Sequence, residues 1–192
     1  MGSEMCIRDR AHVWKQFGNI RIRIAGTIGG NILANSASYD ALPAFLALDA
    51  VAHFVDSNGS WCVSMENVTK TKQFGLLTAI EFPIGDNRVF SMDRSLKPVT
   101  SVAISAEFSC GLFKNIRVGI GSAFSTPLGK SLHNKAGISP GELTEHAEEL
   151  ARAFAAALPE PVENVFASAS YRRRMIAVIL TRQLFKIAKG YP

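Results

Sequence analysis

The spacing of apolar and polar positions changes several times along the chain, and each change marks an expected element. Ile20, Ile22 and Ile24 alternate with Arg21 and Arg23, a period of two that predicts a half-buried strand or an extended segment. Residues 41–48 are almost wholly apolar, with Asp40 placed to cap a short helix and Pro43 in its first turn. Residues 51–56 and 60–65 flank Ser57-Asn58-Gly59, a strong hairpin signal. Trp61 on that hairpin reads as packing rather than as a stacking platform. Residues 68–72 have no decisive period and fit a turn of helix. Residues 76–82 read as a strand ending at Pro83, and Ile84-Gly85-Asp86-Asn87 as a loop.

Beyond that loop, residues 88–92 and 112–119 predict strands, while 99–108 fits either a helix or a strand. Two helices close the pattern. Ser139-Pro140-Gly141-Glu142 has the Ser-x-x-Glu spacing of a capping box, with proline at the first helical position. Leu143, Ala147, Leu150, Phe154 and Leu158 then fall on one helical stripe. A last helix over about 168–188 carries Ile176, Leu180, Leu184 and Ile187 in a stripe wide enough for deep burial. Glu142, Glu145, Glu148 and Glu149 lie on the first of these helices, and Arg172, Arg173, Arg174, Arg182, Lys186 and Lys189 on the second. Either this complementarity holds the pair in register or the basic helix faces another chain. Surface pairs contribute only about 0–1 kcal/mol each, so the apolar stripes must dominate.

Composition narrows the class. A chain of 192 residues that is 47% hydrophobic and 19% charged can bury a core and is not disordered in character. Its net charge of +5 is spread along the sequence, which favours a solvated basic surface or a face for an acidic partner over nucleic-acid binding. The three cysteines, Cys6, Cys62 and Cys110, stand apart with no C-x-x-C spacing, so no disulfide framework, zinc site or iron–sulfur cluster is expected. A reducing, cytoplasmic setting fits. No apolar run approaches the roughly 20 residues of a membrane span, and no signal peptide is visible. The four histidines, His12, His53, His133 and His146, are scattered, so neither a metal site nor a catalytic acid–base pair is expected.

The candidate chemistry lies in Gly26-Thr27-Ile28-Gly29-Gly30-Asn31-Ile32-Leu33-Ala34-Asn35-Ser36-Ala37-Ser38-Tyr39-Asp40. Glycine lets a backbone approach a ligand closely, and the amides of such a loop can converge on a phosphate. A Gly-Gly turn also serves as plain punctuation between elements, and spacing alone leaves both readings open.

The order of these residues, with Leu42-Pro43 and Leu46-Ala47-Leu48-Asp49-Ala50 after them, resembles the FAD-binding (medium) subunit of the molybdenum hydroxylases. That family includes xanthine dehydrogenase, carbon monoxide dehydrogenase and aldehyde oxidoreductases, and its flavin loop reads T/S-I-G-G-N followed by A-S-P-x-x-D-L-x-P. A second, independent likeness lies far downstream, where Ala167-Ser168-Ala169-Ser170-Tyr171-Arg172-Arg173 after Pro161 is similar to the family's P-x-x-D-x-R-A-S-x-x-Y-R-R. Gly119 to Pro127 resembles its G-G-x-x-x-T-P segment loosely. The resemblance implies an α+β fold: the C-terminal part of an FAD-binding domain followed by a small antiparallel sheet with packed helices. It implies that the FAD pyrophosphate is held at Thr27, Ile28, Gly29, Gly30 and Asn31. By the same likeness Ser36 and Asp40 contact the diphosphate or the ribitol and ribose region, and Leu77 lies near the isoalloxazine or adenine portion. Asp40 also reads as a helix cap and Leu77 as a core residue of its strand; for Asp40 both roles can coexist.

The chain departs from the family at several points. Ala37 follows Ser36 where the family often has proline, and Tyr39 replaces a small residue before Asp40. Ser91 and Met92 stand where many members carry a lysine after the equivalent of Phe90. Residues 1–16 match nothing in the family and are set aside as a non-native or unassigned leader, the resemblance beginning near Phe17. The expected organisation is 17–85 as the second half of the FAD-binding domain and 86–192 as the C-terminal flavoprotein domain, in an N-terminally truncated fragment. The implied function is an electron-transfer subunit, passing electrons from iron–sulfur clusters through FAD to NAD+ or another acceptor. Its implied partners are an iron–sulfur subunit and a molybdopterin subunit. One alternative is an assembly module that docks to partners without binding FAD on its own; another is an unrelated phosphate-binding domain.

Overall fold

The computed structural model describes residues 20–71, 75–83, 85, 87–95, 99–132 and 137–190, with the backbone alone at Ile22 and Arg23. The leader 1–16, residues 17–19, His12, His133 and positions 84 and 86 of the linking loop lie outside the described residues. The architecture is α+β, as expected, and it is built on antiparallel sheets.

The first expectation to fail is the alternating isoleucine segment, which forms helix α1 (Ile20–Ala25) rather than a strand. Alternation reports a strand only where one face is buried against a partner. Here Ile20 and Ile24 are 60% and 79% exposed, so neither of them has a buried face behind it. The glycine-rich stretch is likewise not a continuous loop, because helix α2 (Ile28–Leu33) forms inside it. The Thr27 hydroxyl accepts the Gly30 N–H at 2.9 Å, and Ile32 is fully buried. A good cap and one anchored side chain outweigh two adjacent glycines in so short a helix.

Helix α3 (Ala41–Ala47) is buried at all seven positions. Its surroundings explain why a helix apolar on every side is stable here. On one side Leu42, Phe45 and Leu46 join Ala52, Phe54, Met65 and Val68 in a single core, against which Trp61, Leu77 and Ile80 pack. On the other side Ala44, Ala47 and Leu48 meet Phe90, Met92 and Ala103. The helix is therefore shared by two sheets.

The first sheet has the order β2-β1-β3, all antiparallel. Strands β1 (Val51–Asp56) and β2 (Gly59–Ser64) form the expected hairpin, and β3 (Leu76–Glu81) pairs with β1. Trp61 stacks on Phe54 with ring centroids 5.7 Å apart and planes 14° from parallel, a packing role. Helix α4 (Met65–Lys70) follows β2 and is capped by Ser64. The second sheet is a meander of β4 (Arg88–Arg94), β5 (Ser101–Ser109), β6 (Leu112–Gly121) and β7 (Leu128–Ser131). The segment open between helix and strand is thus β5, the strand that α3 covers on one face and the C-terminal helices cover on the other. Val102, Ile104 and Ala106 belong to the core with those helices, while Ala103 faces α3.

Close approach between α3 and β6 requires a glycine. A Cβ placed on Gly119 would lie 1.9 Å from the Pro43 carbonyl oxygen, which is inside van der Waals contact. Charges flank the same helix: Asp40 pairs with Arg94 of β4 at 2.8 Å and Asp49 with Arg117 of β6 at 3.2 Å.

Helices α5 (Pro140–Ala156) and α6 (Ala169–Lys189) close the fold, and α5 carries the complete capping box between Ser139 and Glu142. Of the two readings of their charges, cross-helix register is not the one followed by the ion pairs among the described residues. Within α5, Glu148 pairs with Arg152 and Glu149 with His146. Arg173 of α6 instead donates to the carbonyls of Ala155, Leu158 and Pro159 at 2.7, 3.0 and 3.1 Å, and to the Glu160 carboxylate at 2.7 Å. These carbonyls lie in the last turn of α5 and just beyond it, where free C=O groups and the helix dipole favour a cation.

Candidate functional site

Thr27 has extended backbone angles, and its hydroxyl closes the first turn of α2. The first turn of any helix leaves N–H groups without intrahelical acceptors. Thr27 takes that of Gly30, so the amides of Ile28 and Gly29 remain directed off the helix start. Gly30 is held tightly, since a Cβ there would sit 3.0 Å from the Thr27 hydroxyl oxygen. Gly29 is looser: its Cβ would meet Leu77 Cδ2 at 3.6 Å, an ordinary contact. The structure thus brings Gly29 and Leu77 side by side, although they are far apart in sequence. Leu77 is half-buried and also packs on the first core, so its core role is real whatever else it touches.

Asn31 follows in the same helix, and its side-chain oxygen is buried with no hydrogen-bond partner. Unpartnered buried oxygens are uncommon and call for an explanation. Asn35 ends the helix in the left-handed region at φ 45° and donates from Nδ2 to the Thr69 carbonyl at 2.9 Å. Asparagine tolerates that conformation better than most residues.

The segment between α2 and α3 is fixed from both sides. The Ser36 carbonyl accepts the Tyr39 N–H at 3.1 Å, and the Ser36 hydroxyl accepts the Ser38 N–H at 3.4 Å. The Ala37 carbonyl accepts the Ser122 amide at 2.7 Å and the Ser122 hydroxyl at 3.3 Å. Tyr39 is exposed at 42%.

Asp40 precedes α3 but makes no side-chain cap bond, so the expected cap is corrected. Its carboxylate is drawn instead to Arg94, whose Nη1 donates to Oδ2 at 2.8 Å. Burial pushes the Asp40 pKa up, and the Arg94 charge and hydrogen bond oppose that shift without overcoming it.

The sequence reading missed three residues that shape this region. Arg94 carried no signal beyond its charge. Ser122, at φ 62°, gave none. Arg172 lies within the second likeness, yet nothing in the pattern marks it as only 2% exposed. Its Nη1 donates to the carbonyls of Val99 at 2.5 Å and Ser122 at 2.6 Å, and its Nη2 to Asn164 Oδ1 at 2.9 Å. Among the described residues, no group of His, Cys, Asp and Glu side chains is placed to hold a metal ion, and no helix is long and apolar enough to cross a membrane.

A capped, glycine-containing helix start beside an apolar wall, set on an α+β scaffold, defines a candidate anion and cofactor site. Residues 3–84 match the family described as the FAD binding domain in molybdopterin dehydrogenase, so this part of the chain is similar to that domain. The match begins at residue 3, inside the segment that the sequence pattern set aside. FAD is the cofactor of that domain.

Solved structures share the fold. Carbon monoxide dehydrogenase reconstituted from Oligotropha carboxidovorans superposes with a TM-score of 0.79 at 22% identity, over 100% of this chain and 69% of that one. Quinoline 2-oxidoreductase from Pseudomonas putida 86 gives 0.75 at 19% identity, over 97% and 69%. Carbon monoxide dehydrogenase from Hydrogenophaga pseudoflava gives 0.74 at 18% identity, over 90% and 64%. The chain therefore spans about two thirds of the length of these structures. No curated protein sequence matches it.

Proposed function

We propose that this chain holds FAD as part of the electron-transfer subunit of a molybdenum-containing oxidoreductase, at a site built on the start of α2. The observation that carries the reading is the Asn31 oxygen, buried and without a partner inside the very motif that matches the FAD-binding family. An orphaned acceptor beside free helix-start amides fits a ligand that supplies both anionic oxygens and hydroxyl or amine donors. FAD has both, in its pyrophosphate and in its sugar and ring nitrogens.

In this reading the amides of Ile28 and Gly29 receive the pyrophosphate, Thr27 and Gly30 keep the turn closed, and Asn31 accepts from the ligand. Ser36 and Asp40 line the approach to the sugar region. The half-buried Leu77, beside Gly29, offers an apolar wall to a flat ring. Bound there, FAD would supply the redox chemistry, accepting electrons from iron–sulfur clusters and yielding them to NAD+ or another acceptor. The residues of this chain bind, orient and shield; none is assigned to bond making. An iron–sulfur subunit and a molybdopterin subunit are the proposed partners, in a cytoplasmic setting. The proposed division keeps residues 17–85 with the cofactor site and 86–192 as the C-terminal domain, although α3 packs on both sheets.

Titrating FAD into the purified chain while following flavin fluorescence and visible absorbance tests the reading. Quenching and a structured absorbance band that weaken in Asn31→Ala are expected. No spectral change with the intact chain would leave the assembly-module alternative in place of autonomous binding.

A further inference from the structure

We infer that Arg172 is a positioning residue for the cofactor-facing segment 36–40, acting through Ser122. The inference rests on the proposed FAD site for its functional part and on geometry alone for its mechanical part. Arg172 is buried on α6 and its guanidinium bridges three places: the segment leading into β5 through the Val99 carbonyl, the turn after β6 through the Ser122 carbonyl, and the turn before α6 through Asn164. Both carbonyl contacts come from one nitrogen, Nη1, so the position of Ser122 is set against that of Val99. Ser122 is held in the left-handed region at φ 62°, a conformation that a serine keeps only when its surroundings impose it. In that conformation its amide and hydroxyl both point at the Ala37 carbonyl.

The bonds form one path: guanidinium to the Ser122 carbonyl, then the Ser122 amide to Ala37, which sits between Ser36 and Asp40. The bond to the guanidinium holds the Ser122 carbonyl against α6, and so sets where the Ser122 amide is presented. Arg94 holds the far end of the same segment at Asp40. A residue of the C-terminal helix thus fixes the backbone that leads from the glycine-containing turn into α3. No contact between Arg172 and the ligand is required.

Hydrogen–deuterium exchange on the full-length chain, with FAD titrations in parallel, tests this on Arg172→Met and Arg172→Lys. Exchange reports local opening element by element. In Arg172→Met, peptides covering 34–40 and 120–124 should exchange about tenfold faster while those in β1 to β3 and in α5 keep their wild-type rates, and FAD affinity should fall about tenfold. Arg172→Lys keeps a cation and a donor and should recover part of both effects. Unchanged exchange at 34–40, acceleration spread over every element, or local acceleration with wild-type FAD affinity would each overturn the inference. Should the arginine variants fail to fold, Ser122→Ala decides: it keeps the amide and removes the hydroxyl bond to Ala37, so a smaller increase confined to 34–40 supports the path and its absence overturns it. If the wild-type chain itself takes up no FAD, the proposed function fails, and the path is then judged by exchange alone.

Discussion

The Arg172 guanidinium lies 2.6 Å from the Ser122 carbonyl oxygen, and the amide of Ser122 lies 2.7 Å from the carbonyl of Ala37. These two bonds join the two stretches of sequence that carry the family likeness. Neither stretch shows in sequence that it depends on the other. The likeness at the end of the chain has a structural purpose, since it supplies the cation that organises the turn against which the first stretch rests.

Among the described residues, that cation has no carboxylate among its hydrogen-bond acceptors, which are the Val99 and Ser122 carbonyls and the Asn164 amide oxygen. The Asn164 oxygen is heavily used, accepting from Arg172 at 2.9 Å and from the amides of Phe166 and Ala167 at 3.0 and 3.3 Å. Asn164→Asp should therefore stabilise the fold, because a carboxylate brings a second oxygen and a countercharge with almost no change in shape. The gain should be about 1 kcal/mol at neutral pH. Urea denaturation checks it, and a lowered midpoint in the variant would refute it.

Gly29 and Gly30 should separate folding from ligand binding. At Gly29 a methyl group meets Leu77 at ordinary contact distance, so Gly29→Ala should leave stability unchanged or raise it by about 0.5–1 kcal/mol through helix propensity. The same methyl group enters the proposed ligand face and should weaken FAD binding. At Gly30 the methyl group crowds the Thr27 hydroxyl at 3.0 Å, so Gly30→Ala should cost stability through the cap, by about 1 kcal/mol. Thermal melts and FAD titrations on both variants distinguish these outcomes. Full FAD binding in Gly29→Ala would argue that the turn is punctuation only.

Gly119 should be the position least tolerant of a side chain. Its added Cβ would stand 1.9 Å from a backbone oxygen of α3 and 3.1 Å from the Ala47 nitrogen, and a backbone cannot swing aside as a flexible side chain can. Gly119→Ala should destabilise by about 1–3 kcal/mol or more. Because α3 belongs to both cores, near-UV circular dichroism should change for aromatic residues of the first sheet as well as the second.

Asp40 predicts a pH dependence with a definite sign. Its folded pKa is raised above the ordinary aspartate value of 3.8, chiefly by burial. The folded state therefore binds its proton more tightly than the unfolded state, and the contribution of this residue to stability falls as pH rises from about 3.8 through the raised value. Asp40→Asn should remove that fall. Relative to wild type, the variant should gain stability across this window in denaturation series from pH 3 to 7 (about one pKa unit per 1.4 kcal/mol). A difference that stays flat with pH, or grows in the opposite direction, would show that Asp40 does not titrate as its burial requires.

Much of the fold was legible because its signals are local. The hairpin at Ser57-Asn58-Gly59, the capping box from Ser139 to Glu142 and the apolar stripe of the last helix each depend on residues within a few positions of one another. The alternating isoleucines misled because period two has meaning only against a partner strand, and none is supplied to Ile20 or Ile24. The glycine stretch shows its chemistry in sequence but not its conformation, since a single side-chain bond from Thr27 is enough to start a helix there.

By itself the sequence determined the α+β class and the family likeness, and through that likeness it named the candidate cofactor residues Thr27 to Asn31, Ser36, Asp40 and Leu77. The class and the likeness follow from residue type and spacing along the chain, and the candidate residues from what the likeness implies. Only the tertiary structure decided that Leu77 stands beside Gly29, that Asp40 serves Arg94 rather than its own helix, and that Arg172 reaches Ala37 through Ser122. These relations are long-range and depend on burial, where a guanidinium or a carboxylate takes whatever partner the packing of other elements brings within hydrogen-bonding distance. No local pattern encodes that choice.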